Sequence, residues 1–391
     1  MPTSAPKRKK VVILGSTGSI GTSALMVAKD IPERMEVVGL AAHRSAKKVA
    51  EQAQAFGVRQ IALGDAAAAE SLRADCPPGT TVYSGDQGLV DLVEATEADM
   101  VLIAIVGTSG LKPALAAIRA GRDIAVASKE ILVMAGEPVM AAAREHGVHV
   151  LPVDSEHNAI YQCLEGRDPS SVRRLILTAS GGPFREMPSR DFAGITVEQA
   201  LNHPTWKMGP KITIDSSTLF NKGLEMIEAR WLFDVGMDRV DVLVHPQSII
   251  HSMVEFVDSS ILAQLSHSDM CFPIQYAVTW PERVTNSLRP LELAELGRLD
   301  FEPPRWDDFP ALELAREAGA ASGTLPAVLN AANEVSVENF LAGRLSYPGI
   351  SETVAATMGD HCNVPDASLD EIIAADAWAR EQARARITPR G

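Results

Sequence analysis

The sequence predicts an α/β protein: an N-terminal doubly wound, Rossmann-like domain, a central α/β domain and a C-terminal helical domain. Three observations predict it. Apolar runs of strand length alternate with helical patterns over residues 1–150, which is the pattern of a parallel sheet with crossover helices. The first of these runs leads straight into a glycine-rich turn and a helix. From Ala311 onward the chain is Ala-rich with apolar residues at helical spacing.

The elements follow in order. VVILG (Val11 to Gly15) reads as a buried strand, and GSTGSIG places Gly15, Gly18 and Gly21 in a GxxGxxG turn before a helix. Such a turn lets a pyrophosphate approach the backbone and aims a helix N-terminus at its charge. EVVGLAA (Glu36 to Ala42) is a second strand. It ends in His43, Arg44 and Ser45 and carries no acid. A site for NAD places Asp or Glu there, to hold the ribose 2′-OH. Arg44 instead offers a cationic fork for a 2′-phosphate and Ser45 a hydroxyl, so the expected cofactor is NADPH. Met100 to Gly107 and Asp123 to Ser128 are further strands, and Val148 to Val153 is another.

That last run hands over to Asp154, Ser155, Glu156 and His157 and then to a helical pattern. Asp and Ser are ordinary helix caps, and an early Glu suits the helix dipole. One cap needs one carboxylate, however. Asp154 and Glu156, one residue apart, would lie on the same side of an extended chain. Two hard oxygen ligands suit Mg²⁺ or Mn²⁺ and call for a third carboxylate.

Residues 151–280 supply one. KITIDSSTLFNKGLEMIEARWLF (Lys211 to Phe233) reads as a strand, a Ser-rich turn and a helix. On that helix Thr218, Asn221, Lys222 and Glu225 fall at i, i+3, i+4 and i+7. A solvated face with a Lys222–Glu225 pair would also fit. It would not explain the amide and hydroxyls crowded at one end. Ser180, Gly181 and Gly182 follow a strand directly, forming a nest for phosphate. NHPTWKMGPK (Asn202 to Lys211) has no periodicity and reads as a mobile lid. Residues 281–310, rich in Pro and charge, read as a linker, and 311–391 as the helical domain.

Composition narrows the function. A length of 391 residues suits two or three domains, and 46% apolar with 22% charged residues is ordinary for a soluble protein. A net charge of −14 argues against nucleic acid as a partner. The four cysteines are scattered, which fits a reducing compartment and no disulfide framework. No apolar run is long enough to span a membrane. The basic MPTSAPKRKK stretch lacks the apolar core of a signal peptide and reads as a solvated tail. The expected location is the cytoplasm.

GSTGSIG, ASKE, DSEHNAI, TASGGPF, HPTWKMGPKITIDSSTLFNKGLEMIEA, HPQSIIHSMVEF and LNAANE occur in this order. Together they resemble the 1-deoxy-D-xylulose-5-phosphate reductoisomerase family of the non-mevalonate isoprenoid pathway. The resemblance implies a homodimer that uses NADPH and Mg²⁺, Mn²⁺ or Co²⁺. It would rearrange and reduce 1-deoxy-D-xylulose 5-phosphate to 2-C-methyl-D-erythritol 4-phosphate. It implies Asp154, Glu156 and Glu225 as metal ligands. It implies Ser155, Glu156, Ser180, His203, Trp206, Ser216, Asn221, Lys222 and Glu225 around the substrate, with Trp206 and Met208 covering it. Gly15, Ser16, Thr17, Gly18, Ser19, Ile20, Arg44, Ser45, Gly107, Ser128, Lys129, Glu130, Gly209 and Met270 would face the cofactor. Lys129, Glu156 and Glu225 would serve catalysis, with His157 and His251 in support. Ser45, Ser128 and Thr205 stand where the family usually has Asn, Pro210 where it has a basic residue, Ser217 for Ala and Ser268 for Pro. None of these removes a proposed ligand.

Two rival readings remain. One is another NADPH-dependent reductase of a small phosphorylated substrate. The other is a non-catalytic NADPH sensor, against which the third carboxylate argues.

Overall fold

The computed structural model describes residues 8–206 and 208–387. The first seven residues of the basic tail and Lys207 of the proposed lid lie outside the described residues. The chain forms two compact units. The first runs up to Ile131 and adds Val139–Asn158 and Asp269–Arg289; the second comprises Leu132–Pro138, Ala159–Ser268 and the chain from Pro290 onward.

The first unit is built on seven strands: β1 (Lys9–Leu14), β2 (Met35–Ala42), β3 (Gln60–Leu63), β4 (Thr81–Ser84), β5 (Met100–Ile103), β6 (Asp123–Val126) and β7 (Val150–Pro152). They are parallel, in the order β4-β3-β2-β1-β5-β6-β7. The chain lays three strands, β2 to β4, outward from β1, then returns to pair β5 on its other flank. The direction of build therefore switches between β1 and β5, where open α/β sheets bind ligands beyond their strand ends. Val11 to Leu14 and Met100 to Ile103 have no solvent exposure, as strands covered on both faces require. The helix Cys271–Thr279 belongs to this unit, tied by Asn158 Nδ2 donating to Pro273 O at 3.2 Å.

Sequence reading missed β3 and β4. Each has four residues, too few to show a period.

The second unit holds β8 (Val172–Ala179), β9 (Val240–Val244), β10 (Ile250–Phe256) and β11 (Ile261–Leu265), ordered β11-β10-β8-β9. β8 and β9 are parallel, and β10 is antiparallel to both β8 and β11. Four helices, Ala311–Ala321, Leu325–Leu341, Tyr347–Gly359 and Leu369–Arg386, form the expected helical C-terminal region. The helix Phe220–Phe233 buries Phe220, Leu224 and Ile227 in a core shared with Ala311, Ala315, Val328 and Leu329. Gly223 permits that approach, since a Cβ there would lie 2.7 Å from Ala315 Cβ.

One element differs from expectation. Lys211 to Asp215 is not a strand but part of the helix Pro210–Thr218. The alternation of Ile212 and Ile214 spans too few residues to specify a strand. Pro210, at the first helical position after Gly209, starts the helix instead. That helix ends at Leu219, whose φ of 63° is left-handed. Thr218 therefore closes one helix, while Asn221, Lys222 and Glu225 ride on the next.

The glycine turn gives the first prediction. Ala normally gains about 0.5–1 kcal/mol over Gly inside a helix. A Cβ on Gly21 would be driven into Gly15 O and the Ser16 backbone, whereas one on Gly18 would sit 3.4 Å from Gly15 O. Backbone cannot yield as a side chain can, and overpacking costs about 1–3 kcal/mol. Gly21→Ala should lower the thermal midpoint clearly and Gly18→Ala far less. Equal midpoints would contradict this reading of the turn.

Candidate active site

In the first unit the candidate residues sit at the carboxyl ends of the strands. Gly15 leaves β1 at φ +90°, with no room for a Cβ against Ala104 O of the chain leaving β5. Ser16 is fully buried and exchanges two bonds with Gln52: its Oγ donates to Oε1 at 2.8 Å, and Gln52 Nε2 donates to its carbonyl at 2.9 Å. Lys48 Nζ donates to Thr17 O at 2.7 Å, which fixes a cation beside the turn. The helix Ser19–Asp30 starts after Gly18 without a side-chain cap. The N–H groups of its first turn, including Ser19 and Ile20, suit an anion.

Arg44 and Ser45 follow β2 and are exposed. Arg44 Nε donates to Asp65 Oδ2 at 3.0 Å. The acid absent from the end of β2 is thus present beside it, supplied by the neighbouring strand. Gly107 follows β5 at φ 75°. Ser128, after β6, donates its hydroxyl to Ile105 O, and Lys129 and Glu130 follow, both buried. Met270 precedes the helix Cys271–Thr279. Within that helix the Cys271 thiol is pushed up to about 12 by burial, so it is inert at neutral pH.

Asp154 follows β7. Lys129 Nζ lies 2.5 Å from Asp154 Oδ2, and the side chains are 6% and 15% exposed. The fully buried His157 places Nδ1 4.0 Å from the same oxygen. Glu156 is not on an extended chain, as the sequence reading assumed. It lies in the first turn of the helix Ser155–Leu164 and accepts from Ser155 Oγ at 2.6 Å. The period of the chain changes at Ser155, so alternation no longer decides which side Glu156 faces.

In the second unit Ser180 follows β8 directly, and Gly181 and Gly182 turn at φ +82° and +67°. Gly182 N–H donates to Ser180 Oγ at 3.2 Å. His203 Nε2 lies 3.0 Å from Ser180 Oγ and 3.1 Å from Ser216 Oγ. Its Nδ1 accepts from the N–H groups of Thr205 at 3.1 Å and Trp206 at 2.9 Å. A backbone N–H can only donate, so Nδ1 carries no proton and the neutral ring is protonated at Nε2. Burial also lowers the His203 pKa. Ser180, His203 and Ser216 thus form a neutral cluster of donors, which suits a phosphate. Trp206 faces His251 on β10, ring centroids 6.4 Å apart. Met208 and Gly209 complete the loop.

On the helix Phe220–Phe233, Glu225 has no exposure and Lys222 only 2%. Asn221 Nδ2 donates to Glu225 Oε1 at 2.6 Å and Lys222 Nζ to Glu225 Oε2. Of the expected polar arc, Asn221, Lys222 and Glu225 share this helix, while Thr218 ends the preceding one. Lys222 and Glu225 are buried and Asn221 half-buried, which the solvated-face reading does not fit. Asp154, Glu156 and Glu225 all offer hard carboxylate oxygens, the donor type Mg²⁺ and Mn²⁺ take.

Sequence reasoning missed the groups that hold these residues. Asp215, 1% exposed, pairs with Lys211 Nζ at 2.8 Å and accepts from Asn333 Nδ2 at 2.8 Å. Tyr347 Oη donates to Ser217 O at 2.6 Å. Both bonds pin the helix that carries Ser216. Gln52, Lys48 and Asp65 were missed in the same way, since each meets its partner across a long stretch of sequence.

The chain was compared with known proteins. A family model described as 1-deoxy-D-xylulose 5-phosphate reductoisomerase matches residues 11–136, and its two C-terminal domain models match 150–233 and 265–382. The reductoisomerase of Symbiobacterium thermophilum is 53% identical over 384 residues, covering 96% of this chain and 98% of that protein. The solved structure of the Zymomonas mobilis reductoisomerase in complex with NADPH superposes with a TM-score of 0.91 at 41% identity, covering 97% and 99% of the two chains. A DOX-P reductoisomerase solved with NADPH, fosmidomycin and magnesium gives 0.90 at 39% identity, covering 97% and 98%.

The second prediction concerns His203. With a folded pKa below the ordinary value of about 6.5, it binds its proton less readily than in the unfolded chain. Folding stability should therefore fall as pH drops below about 6.5 and level off beneath the folded pKa. ¹⁵N NMR should show a neutral, Nε2-protonated ring at pH 7, and His203→Asn should flatten this part of the stability profile. An imidazolium at pH 7 would contradict the assignment.

Proposed function

Because the chain belongs to the 1-deoxy-D-xylulose 5-phosphate reductoisomerase family, we propose that Asp154, Glu156 and Glu225 hold its divalent cation and that Ser180, His203, Ser216, Asn221 and Lys222 hold the substrate's phosphate end. The chain rearranges and reduces 1-deoxy-D-xylulose 5-phosphate to 2-C-methyl-D-erythritol 4-phosphate, with NADPH and magnesium. Mn²⁺ and Co²⁺, with the same taste for oxygen ligands, should substitute.

One observation carries the residue assignment: Glu225 is a carboxylate without exposure, bonded to Lys222 and Asn221 one turn away. Dinucleotide binding has no use for it. Stability does not explain it either, because a buried ion pair is often no better than apolar residues of the same volume. A sensor or a plain reductase would need no such group.

The remaining roles follow from chemistry. Lys129 and Lys222 set a positive charge against Asp154 and Glu225. When bound, magnesium supplies Lewis-acid polarisation of the substrate's ketone and hydroxyl oxygens. Ser155 offers a hydroxyl to the substrate. Phosphate binding far from the reacting carbons orients them, and Trp206 and Met208 exclude water. Gly15 to Ile20 receive the pyrophosphate, and Arg44 and Ser45 the 2′-phosphate. Gly107, Ser128, Lys129, Glu130, Gly209 and Met270 face the rest of the dinucleotide. His157 and His251 support the site. In this reading 1–150 is the NADPH domain, 151–280 the catalytic domain, 281–310 a linker and 311–391 the helical domain.

The enzyme is proposed to be a cytoplasmic homodimer. Among the described residues no disulfide joins the four cysteines, which suits a reducing compartment. No helix among the described residues is long and apolar enough to cross a membrane. Val257, Ile261 and Leu262 are exposed at and beside the edge strand β11, a surface that favours pairing with a second copy.

The test is NADPH oxidation with 1-deoxy-D-xylulose 5-phosphate. EDTA should abolish it and added Mg²⁺ restore it, with 2-C-methyl-D-erythritol 4-phosphate as the product. Oxidation that persists in EDTA would contradict the carboxylate site.

A further inference from the structure

We propose that Asp65 is a positioning residue that determines cofactor choice: it grips the Arg44 guanidinium along its Nε edge and presents the remaining donors to the 2′-phosphate of NADPH. The proposal rests on the reading of Arg44 given above.

The sheet brings the two residues together. β2 and β3 pair in parallel, with Ala42 opposite Leu63, so the loops leaving them emerge side by side. Two backbone bonds lock the loops: Gly64 N–H to Ala42 O at 3.0 Å and Asp65 N–H to His43 O at 2.9 Å. Gly64 lets them touch, since a Cβ there would lie 2.7 Å from His43 Nδ1.

The two oxygens of Asp65 then divide the work. Oδ1 accepts from Ala68 N–H at 2.9 Å and caps the helix Ala66–Asp75; Oδ2 accepts from Arg44 Nε at 3.0 Å. The cap fixes the carboxylate, and the carboxylate fixes the guanidinium. The Ala68 N–H and then the Arg44 guanidinium hold the Asp65 carboxyl below its ordinary range, so the pair persists at neutral pH.

Stability does not account for this contact. The Arg44 side chain is 75% exposed, and an ion pair so exposed adds little to folding. What the contact does is restrict one rotamer-rich side chain. An arginine already held gives up less freedom when it binds an anion. Engagement through Nε leaves the two Nη groups, a planar pair suited to bidentate phosphate binding. Asp65 also has an opposing effect, repulsion of the phosphate. At an exposed position that repulsion acts through high-dielectric water and is weakened further by salt, whose Debye length is about 8 Å at physiological ionic strength, while the directed contact is not lost. Positioning therefore outweighs repulsion.

Asp65→Asn separates the two effects. Asn caps helices as well as Asp, so the melting temperature should hold. Calorimetry on the enzyme without substrate should show NADPH binding weakened roughly three- to tenfold, by the usual relation of affinity to free energy, and NADH binding unchanged. The Michaelis constant for NADPH should rise in step while kcat at saturation stays the same. Asp65→Ser, a cap too short to reach Arg44, should repeat the pattern. In an Arg44→Ala background, Asp65→Asn should weaken NADPH binding no further. Tighter or unchanged NADPH binding in Asp65→Asn, with Arg44→Ala still weakening it, would overturn the role of Asp65 alone. An Arg44→Ala variant that keeps the NADPH-to-NADH ratio would overturn both that role and the reading of Arg44.

Discussion

A carboxylate withdrawn from water either finds a positive partner or takes up a proton. Two pairs in this chain answer that constraint, Lys129 with Asp154 and Lys222 with Glu225. Metal ligation needs the ionised form. At the cation site proposed above, the lysines would supply in advance the compensating charge that a divalent cation would otherwise supply alone. The second pair also explains how the helix Phe220–Phe233 can carry Lys222 and Glu225 on buried positions. With one partner removed, the other would be a buried charge without compensation, among the most destabilising changes available.

The rest of the second unit keeps Lys222 and Glu225 in place. Gly223 lets the carboxylate-bearing helix press against Ala311 and Ala315. The Asp215–Asn333 bond and the Tyr347 hydroxyl on Ser217 O fasten the preceding helix to the C-terminal helices. Ser216 sits between these anchored residues and meets His203. The C-terminal helices thus carry no proposed ligand, yet they set the position of one. Dipoles held in advance are worth more than dipoles that must reorient during a reaction.

What could be read from the sequence divides along the same lines. Gly21 was legible because its requirement is local: it meets the Gly15 and Ser16 backbone within one strand–turn–helix unit, whereas the Ala104 backbone that Gly15 meets could not be read from that unit. The turn at Ser180, Gly181 and Gly182 was legible because three consecutive small residues after a strand declare it locally. The Lys222–Glu225 pair was legible as spacing, but its burial was not, because burial depends on helices almost a hundred residues further on. Residues 211–215 misled because a short alternation of isoleucines fits a strand or a helix, and the proline ahead of it decides. β3 and β4 left no period to see. Asp65 was invisible as Arg44's partner because it depends on the pairing of β2 with β3, which no local pattern declares.

Manganese binding to the enzyme without substrate, followed by electron paramagnetic resonance, bears most directly on the three carboxylates. The native chain should bind one Mn²⁺ with a defined affinity. Glu225→Gln, which keeps the shape and removes a charged ligand, should weaken that binding by at least about tenfold, roughly 1.4 kcal/mol, and leave NADPH binding as it was. Unchanged Mn²⁺ affinity in Glu225→Gln would show that this buried carboxylate is not a metal ligand, and the assignment of Asp154, Glu156 and Glu225 would fall with it.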